Sequence, residues 1–268
     1  MRFLPRRRIR LDSEAFIVGA EEAATAAGHV IRPWFRAGIS ATQKPDASPV
    51  TIADREAERA IRAVLTKHFP DHGRLGEEEG LENAASGLRW VFDPIDGTRA
   101  FITGRPTFGT LIALLEDEVP ILGVIDQPIT GERWVGVRGS ATRFSGALGG
   151  TAGTRRGVEL ADAELSSTGP GYFDAGEYAR FTNLSREVKR VYWGGDCYAY
   201  GLLALGQIDI VAEAKLKVWD WAALVPVIEG AGGSLTDWHG RPLRAGGDGT
   251  ALALGDPSLL GPVVAALR

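Results

Sequence analysis

The 268-residue chain has one cysteine, Cys197, one methionine and four histidines. A lone cysteine excludes an intramolecular disulfide and a multi-cysteine zinc site, and it suits a reducing compartment, so a cytoplasmic protein is expected. No apolar run approaches the ~18 residues of a membrane span, and the start, MRFLPRRRIR, lacks the apolar stretch of a signal peptide, so no membrane association is expected. Positive charge is not in excess either. The 34 acids against 30 bases give a net charge of -4, which excludes a general electrostatic footprint for nucleic acid. Arg2, Arg6, Arg7, Arg8 and Arg10 read as a solvated end rather than a binding arm. The signatures GxGxxG, GxxxxGK[ST] and GxSxG do not occur, which removes the common nucleotide-binding and serine-hydrolase chemistries. His68 and His72 have the i, i+4 spacing of a zinc helix, but Pro70 and Gly73 break any helix there. Cys197 has no histidine nearby in sequence and reads as a buried, inert thiol.

What is present is a folded globular mixture of 44% hydrophobic and 24% charged residues. Phe16, Ala20, Ala23, Ala27, Val30 and Trp34 step by three and four, which predicts one face of a long helix ending near Pro33. Residues 44–50 read as a loop. Thr51 and Asp54 then read as a capping box opening a second helix that reaches about Phe69. A catalytic use of Asp54 is the alternative, and the cap is the favoured reading. Trp90, Val91 and Phe92 form a short apolar strand halted by Asp93-Pro94. Apolar runs at 108–115, 119–126 and 133–138, separated by turns, predict an antiparallel meander. The Gly/Thr/Arg-rich stretch 145–157 marks a boundary between an N-terminal lobe, 1–145, and a C-terminal lobe, 146–268. In the second lobe the pattern predicts helices at 198–205, 220–229 and 257–267, and strands at 208–212 and 234–237.

The chemistry that remains is carboxylate. Glu77, Glu78 and Glu79 follow Gly76, and alone such a run means a solvated turn. Asp93-Pro94-Ile95-Asp96-Gly97-Thr98 differs, because it puts two acids three apart at the end of a strand, with proline fixing the turn and glycine freeing the next amides. Two carboxylates aimed into one turn repel each other unless a cation lies between them. Mg²⁺ suits such a site, since it prefers oxygen ligands, accepts carbonyls such as that of Ile95, and keeps water and phosphate in its shell. Asp220, in Trp219-Asp220-Trp221, reads either as a helix N-cap or as a third acid of the same set.

Taken together, the GEE stretch, DPIDGT followed by Phe101, and the downstream WD with its helix closing in Glu229-Gly230-Ala231-Gly232-Gly233 resemble the inositol monophosphatase family across nearly the whole chain. The resemblance implies an α/β fold, a layered αβαβα sandwich of the inositol monophosphatase and fructose-1,6-bisphosphatase type. It implies metal-dependent hydrolysis of a small-molecule phosphate ester, two or three Mg²⁺ ions per site, lithium inhibition and a homodimer. By the same resemblance Glu77, Asp93, the Ile95 carbonyl, Asp96 and Asp220 match the metal ligands. Gly97 and Thr98 match the phosphate-binding turn, and Glu77, Thr98 and Asp93 the catalytic groups. Two departures stand out. Ser48 occupies a position that is often aspartate in the family, leaving proton relay there open, and Arg99-Ala100-Phe101 replaces the usual asparagine-phenylalanine pair, which points to another substrate branch.

DPIDGTRAFITGRPTFGTLIALL, GVIDQPITGERW, GGDCYAYGLLALG and EGAGGSLTDW resemble the histidinol-phosphate phosphatase branch. The family's substrate-hydroxyl contacts then fall on Gly194, Gly195, Asp196 and Glu213, with Asp220 beside them. Two acids in that group want a cationic partner, which histidinol phosphate offers in its ammonium and inositol phosphate does not. Asp196 as a mere cap of the helix near Tyr198 is the competing reading. The expected reaction is therefore L-histidinol phosphate plus water giving L-histidinol and phosphate, in histidine biosynthesis. Inositol-1-monophosphatase and 3'(2'),5'-bisphosphate nucleotidase are the alternatives within the fold, and a non-catalytic phosphate-binding module is the alternative outside catalysis.

Overall fold

The computed structural model describes residues 8–38, 40–43, 49–82 and 86–268. Ser48 and Arg2, Arg6 and Arg7 lie outside them. Helix α1 (Arg8–Trp34) packs on α2 (Ile52–His68). The contact is built from small residues: Ala20, Ala23, Ala24 and Ala27 of α1 and Ala53 and Ala57 of α2 are all buried, so the two backbones can approach closely. Between them β1 (Thr42–Gln43) and β2 (Pro49–Val50) pair antiparallel, so residues 49–50 leave the loop expected for them. α2 opens on the predicted capping box. The Thr51 hydroxyl accepts from the Ala53 amide and the Asp54 carboxylate accepts from the Thr51 amide at 2.8 Å.

A seven-stranded sheet follows, built of β3 (Gly73–Gly76), β4 (Gly80–Glu82), β5 (Leu88–Asp96), β6 (Gly109–Glu116), β7 (Val119–Gln127), β8 (Glu132–Val137) and β9 (Arg143–Ser145). Its order is β4-β3-β5-β6-β7-β8-β9, with β3 and β5 parallel and the rest antiparallel. The predicted meander is β6 to β8. β5 runs on past Asp93 to Asp96 rather than stopping there, because the register against β6 shifts between these two residues. Pro94, with no N–H to give, sits inside that irregularity. The short helix α3 (Thr98–Ile102) leaves directly from the strand end.

The second half carries a five-stranded sheet of β10 (Glu164–Ser167), β11 (Arg190–Trp193), β12 (Ile210–Glu213), β13 (Ser234–Thr236) and β14 (Ala251–Leu254), in the order β11-β10-β12-β14-β13. Its helices are α4 (Ala175–Glu187), α5 (Asp196–Leu203), α6 (Val218–Trp221), α7 (Leu224–Ala231) and α8 (Leu260–Ala266). The layers run α1/α2, the large sheet, α5 with α6 and α7, the small sheet, and α4/α8. This is the expected αβαβα sandwich. The helix predicted over 220–229 is broken at Ala222-Ala223 into α6 and α7. Pro226 explains the break, since it lacks the amide that would bond the Ala222 carbonyl in one continuous helix.

That middle layer lies unusually close to the large sheet. Gly123 and Gly136 face each other on β7 and β8, and a Cβ on either would overlap the backbone of Ala223 or Pro226. Side chains at these two positions would lift α6 and α7 off the sheet. Without them, α6 settles over β5 and β6 and brings Asp220 to the end of β5.

Candidate active site

The end of β5, the loop after β3 and the start of α6 converge on a cavity of about 510 Å³. Glu77, Asp93, Asp96 and Asp220 line it together with Asp196 and Glu213. One carboxylate oxygen from each of Asp93, Asp96 and Asp220 lies within 4.8 Å of the others. Glu77 stands outside that tightest group, yet close enough for its charge to act on Asp93, Asp54 and Asp220.

Each acid of the trio is held by a backbone amide. Asp93 Oδ1 accepts from the Ile95 amide at 2.9 Å, Asp96 Oδ2 from the Cys197 amide at 2.7 Å, and Asp220 Oδ2 from the Lys217 amide at 2.6 Å. One oxygen of each carboxylate is thus tethered by its own turn or by the facing lobe, and the other is left for a further partner. Asp220 is not the N-cap of its helix. Lys217 holds that place, and Asp220 sits at the third helical position, reaching back to the Lys217 amide.

No arginine or lysine forms an ion pair with the trio among the described residues. Burial, and then the charges of Glu77, Asp96, Asp220 and Asp54, push the Asp93 carboxyl well above the usual range. Asp96 rises similarly, through burial and then Asp220 and Asp196. Asp220 is pushed to about 8, chiefly by burial, against the lowering effect of the Lys217 amide. Crowded acids of this kind, Asp93 buried and Asp96 and Asp220 half-buried, want a cation. The donors are all hard oxygens, including the carbonyl of buried Ile95. Cys197, whose amide binds Asp96, is a single buried thiol whose pKa is raised by burial, and one sulfur among so many oxygens does not make a soft donor set. The residues therefore fit Mg²⁺ better than zinc or copper.

Thr98 is the first residue of α3, placed by Gly97 at φ +87, a left-handed conformation that glycine adopts without strain. Its hydroxyl lies 3.2 Å from both Asp54 Oδ1 and the Ile95 carbonyl. Asp54 thus does more than cap. Its other oxygen accepts from the Thr51 hydroxyl at 2.5 Å, its side chain is buried, and burial raises its pKa. The cap favoured from the sequence is present, and Asp54 also contacts Thr98, a residue that lines the cavity.

Asp196, also on the cavity, is the first residue of α5, at φ +44, and its carboxylate makes no capping bond. The capping alternative for Asp196 therefore fails. The left-handed backbone turns its side chain away from the helix amides, and its hydrogen-bond partner is the Thr107 hydroxyl at 3.4 Å. Burial and then the Glu213 charge raise its pKa to about 7. Glu213 ends β12, accepting from the Thr168 amide at 2.9 Å and from the Tyr200 hydroxyl at 3.0 Å. Its pKa is also raised by burial. Gly194 lines a smaller adjoining cavity with Arg99 and Arg105, and Gly195 is packed against Ala199 and Ser166. Tyr172, under the Arg99 guanidinium at 4.9 Å, lines both cavities and had no signal in the sequence. The histidines are elsewhere: His72 stacks on Phe69 and accepts from Trp90, while His68 pairs with Glu22.

The inositol monophosphatase family model matches residues 12–266. The chain is 46% identical over 230 residues to the bifunctional phosphatase IMPL2, chloroplastic, of Arabidopsis thaliana, covering 85% of this chain and 66% of that protein. It is 42% identical over 211 residues to the histidinol-phosphatase of Mycobacterium tuberculosis, covering 78% of this chain and 81% of that one. Among solved structures, an inositol monophosphatase from Zymomonas mobilis superposes with a TM-score of 0.85 at 46% identity, covering 95% of this chain and 98% of the other. On the fold, the carboxylate cluster and these matches, the chain belongs to the inositol monophosphatase family of phosphoric monoester hydrolases.

Proposed function

We propose that the protein is a Mg²⁺-dependent histidinol-phosphatase, hydrolysing L-histidinol phosphate to L-histidinol and phosphate in histidine biosynthesis. One observation carries the choice of substrate. Asp196 and Glu213 are buried acids that line the same cavity as the acidic trio, and among the described residues neither forms an ion pair. Their partners are hydroxyls and an amide, while Arg99 and Arg105 only lower the Asp196 pKa from a distance. An ammonium group on the alcohol half of the ester supplies the missing positive charge. Similarity to the Mycobacterium tuberculosis histidinol-phosphatase supports the same reading.

Glu77, Asp93, the Ile95 carbonyl, Asp96 and Asp220 would hold the ions, two or three in number. When bound, Mg²⁺ supplies the positive charge that acidifies water and offsets charge on the phosphoryl and leaving oxygens. Asp54 accepts the Thr98 hydroxyl proton, so Thr98 Oγ1 presents a lone pair to the attacking water. Glu77 and Thr98 together orient that water, and Asp54, with its raised pKa, is a suitable resting place for the proton. The amides of Gly97 and Thr98 precede the first hydrogen bond of α3, from Phe101 to Gly97, and are donors for phosphoryl oxygens. Water oxygen bonds to phosphorus as the bond from phosphorus to the ester oxygen breaks, the ester oxygen takes a proton from solvent while Asp54 returns its own to solvent, and no covalent enzyme intermediate is needed. The family resemblance further supports a homodimer working in the cytoplasm. Among the described residues no helix is long and apolar enough to cross a membrane.

The test is kcat/KM for histidinol phosphate, inositol-1-phosphate and an adenosine bisphosphate, each with and without Mg²⁺. Histidinol phosphate should lead by at least about tenfold and depend on Mg²⁺. A lead for either other ester assigns the chain to that activity, and no turnover of any ester makes it a phosphate-binding module.

A further inference from the structure

Glu58 is a carboxylate with 0% exposure that lies outside the acidic cluster, on the face of α2 that meets the 77–80 turn. It accepts the Glu78 amide at 2.8 Å and the Glu79 amide at 2.9 Å, one on each oxygen. Arg62, one turn along α2, donates to Glu58 Oε1 from Nε at 3.0 Å and from Nη2 at 2.9 Å. The same guanidinium donates to the Gly80 carbonyl at 2.6 Å and stacks over the Phe92 ring at 5.3 Å. Phe92 in turn accepts the Glu77 amide at 3.3 Å. The backbone on both sides of Glu77 is therefore pinned, by β5 on one side and by Glu58 on the other. A Cβ on Gly76 would strike the Glu58 carboxylate, so the glycine is what lets the strand end approach it. Glu79 is drawn off toward Arg59 at 3.0 Å and Arg62 at 3.6 Å.

We propose that Glu58, clamped by Arg62, is a positioning residue that fixes the 77–80 turn so that Glu77 presents its carboxylate to the ion site. A buried charge with charge-assisted bonds to two consecutive amides holds a turn far more rigidly than solvent does. The inference rests on reading Glu77 as a ligand, and the Glu77→Gln variant tests that reading separately.

The experiment is calorimetric titration of the purified full chain with Mg²⁺, paired with thermal melts in the absence of metal. Glu58→Gln keeps the shape but replaces one acceptor with a donor facing an amide, and should weaken Mg²⁺ binding about tenfold or more. Arg62→Lys, which leaves the carboxylate less firmly held, should weaken it by a smaller factor, about threefold. Ile61→Val, a buried change in the same helix, should lower the melting temperature yet leave Mg²⁺ affinity unchanged. Glu58→Gln binding Mg²⁺ like the unaltered protein, while Glu77→Gln binds it poorly, would overturn the positioning role alone. Both variants binding normally would overturn the ligand reading of Glu77 as well. If Glu58→Gln does not fold, Arg62→Lys decides: affinity unchanged from the unaltered protein refutes the proposal.

Discussion

Two groups of acids line one cavity, and they are partnered differently. Asp93, Asp96 and Asp220 crowd within 4.8 Å, each with one oxygen tied to a backbone amide. Asp196 and Glu213 are bonded by hydroxyls and one amide, in a pair rather than a trio. The first arrangement multiplies negative charge at one point, which only a multivalent ion offsets. The second is the pair to which the proposed function assigns the substrate's ammonium. Burial alone therefore does not say what an acid is for; the spacing and the partners do.

The sharpest way to break this contrast is Asp93→Asn. Losing a carboxylate from the trio removes several kcal/mol of charge stabilisation, so kcat on every ester should fall by about 10³-fold or more. The metal-free protein should melt at the same temperature or slightly higher, because repulsion among the acids is relieved. Steady-state kinetics and calorimetry check both halves. Asp196→Asn should act on one substrate only: kcat/KM for histidinol phosphate should fall roughly 10²-fold while that for inositol-1-phosphate changes less than about threefold. Equal losses would erase the distinction between the two groups of acids.

The smallest effect is on pH. The folded pKa of Asp196 is about 7 and that of Asp220 about 8, both above the unfolded value of 3.8. Between 3.8 and these values the folded chain binds more protons than the unfolded one, so stability falls as pH rises. Metal-free protein should melt about 5 °C or more lower at pH 8 than at pH 5.5. Added Mg²⁺ should raise the melting temperature more at pH 8, where the acids are ionised. Melts with a chelator and with Mg²⁺ at the two pH values measure this.

Much of this was legible in the residues. DPIDGT announced a strand end carrying two acids, and the three-and-four spacing from Phe16 to Trp34 announced α1. What the local pattern left open shares a cause: the deciding contact is distant. Asp54 satisfied its own helix cap, so nothing nearby required its second partner, Thr98, which lies 44 residues on. The cap reading of Asp196, the rival to a substrate contact, stayed open in sequence because its left-handed backbone and its closeness to Gly97, 99 residues earlier, leave no local mark. The break between α6 and α7 was signalled by Pro226 and outweighed in sequence by a continuous apolar run. Glu58 carried no signal, since its partners are backbone amides 20 and 21 residues away.

The most direct measurement is an anomalous difference map from crystals soaked in Mn²⁺ as a stand-in for Mg²⁺. The account predicts peaks between Asp93, Asp96 and Asp220 and at least one within coordinating distance of Glu77, about 2.0–2.3 Å from carboxylate oxygens. A map with no peak among these four acids, from protein that hydrolyses histidinol phosphate in the same buffer, would contradict it.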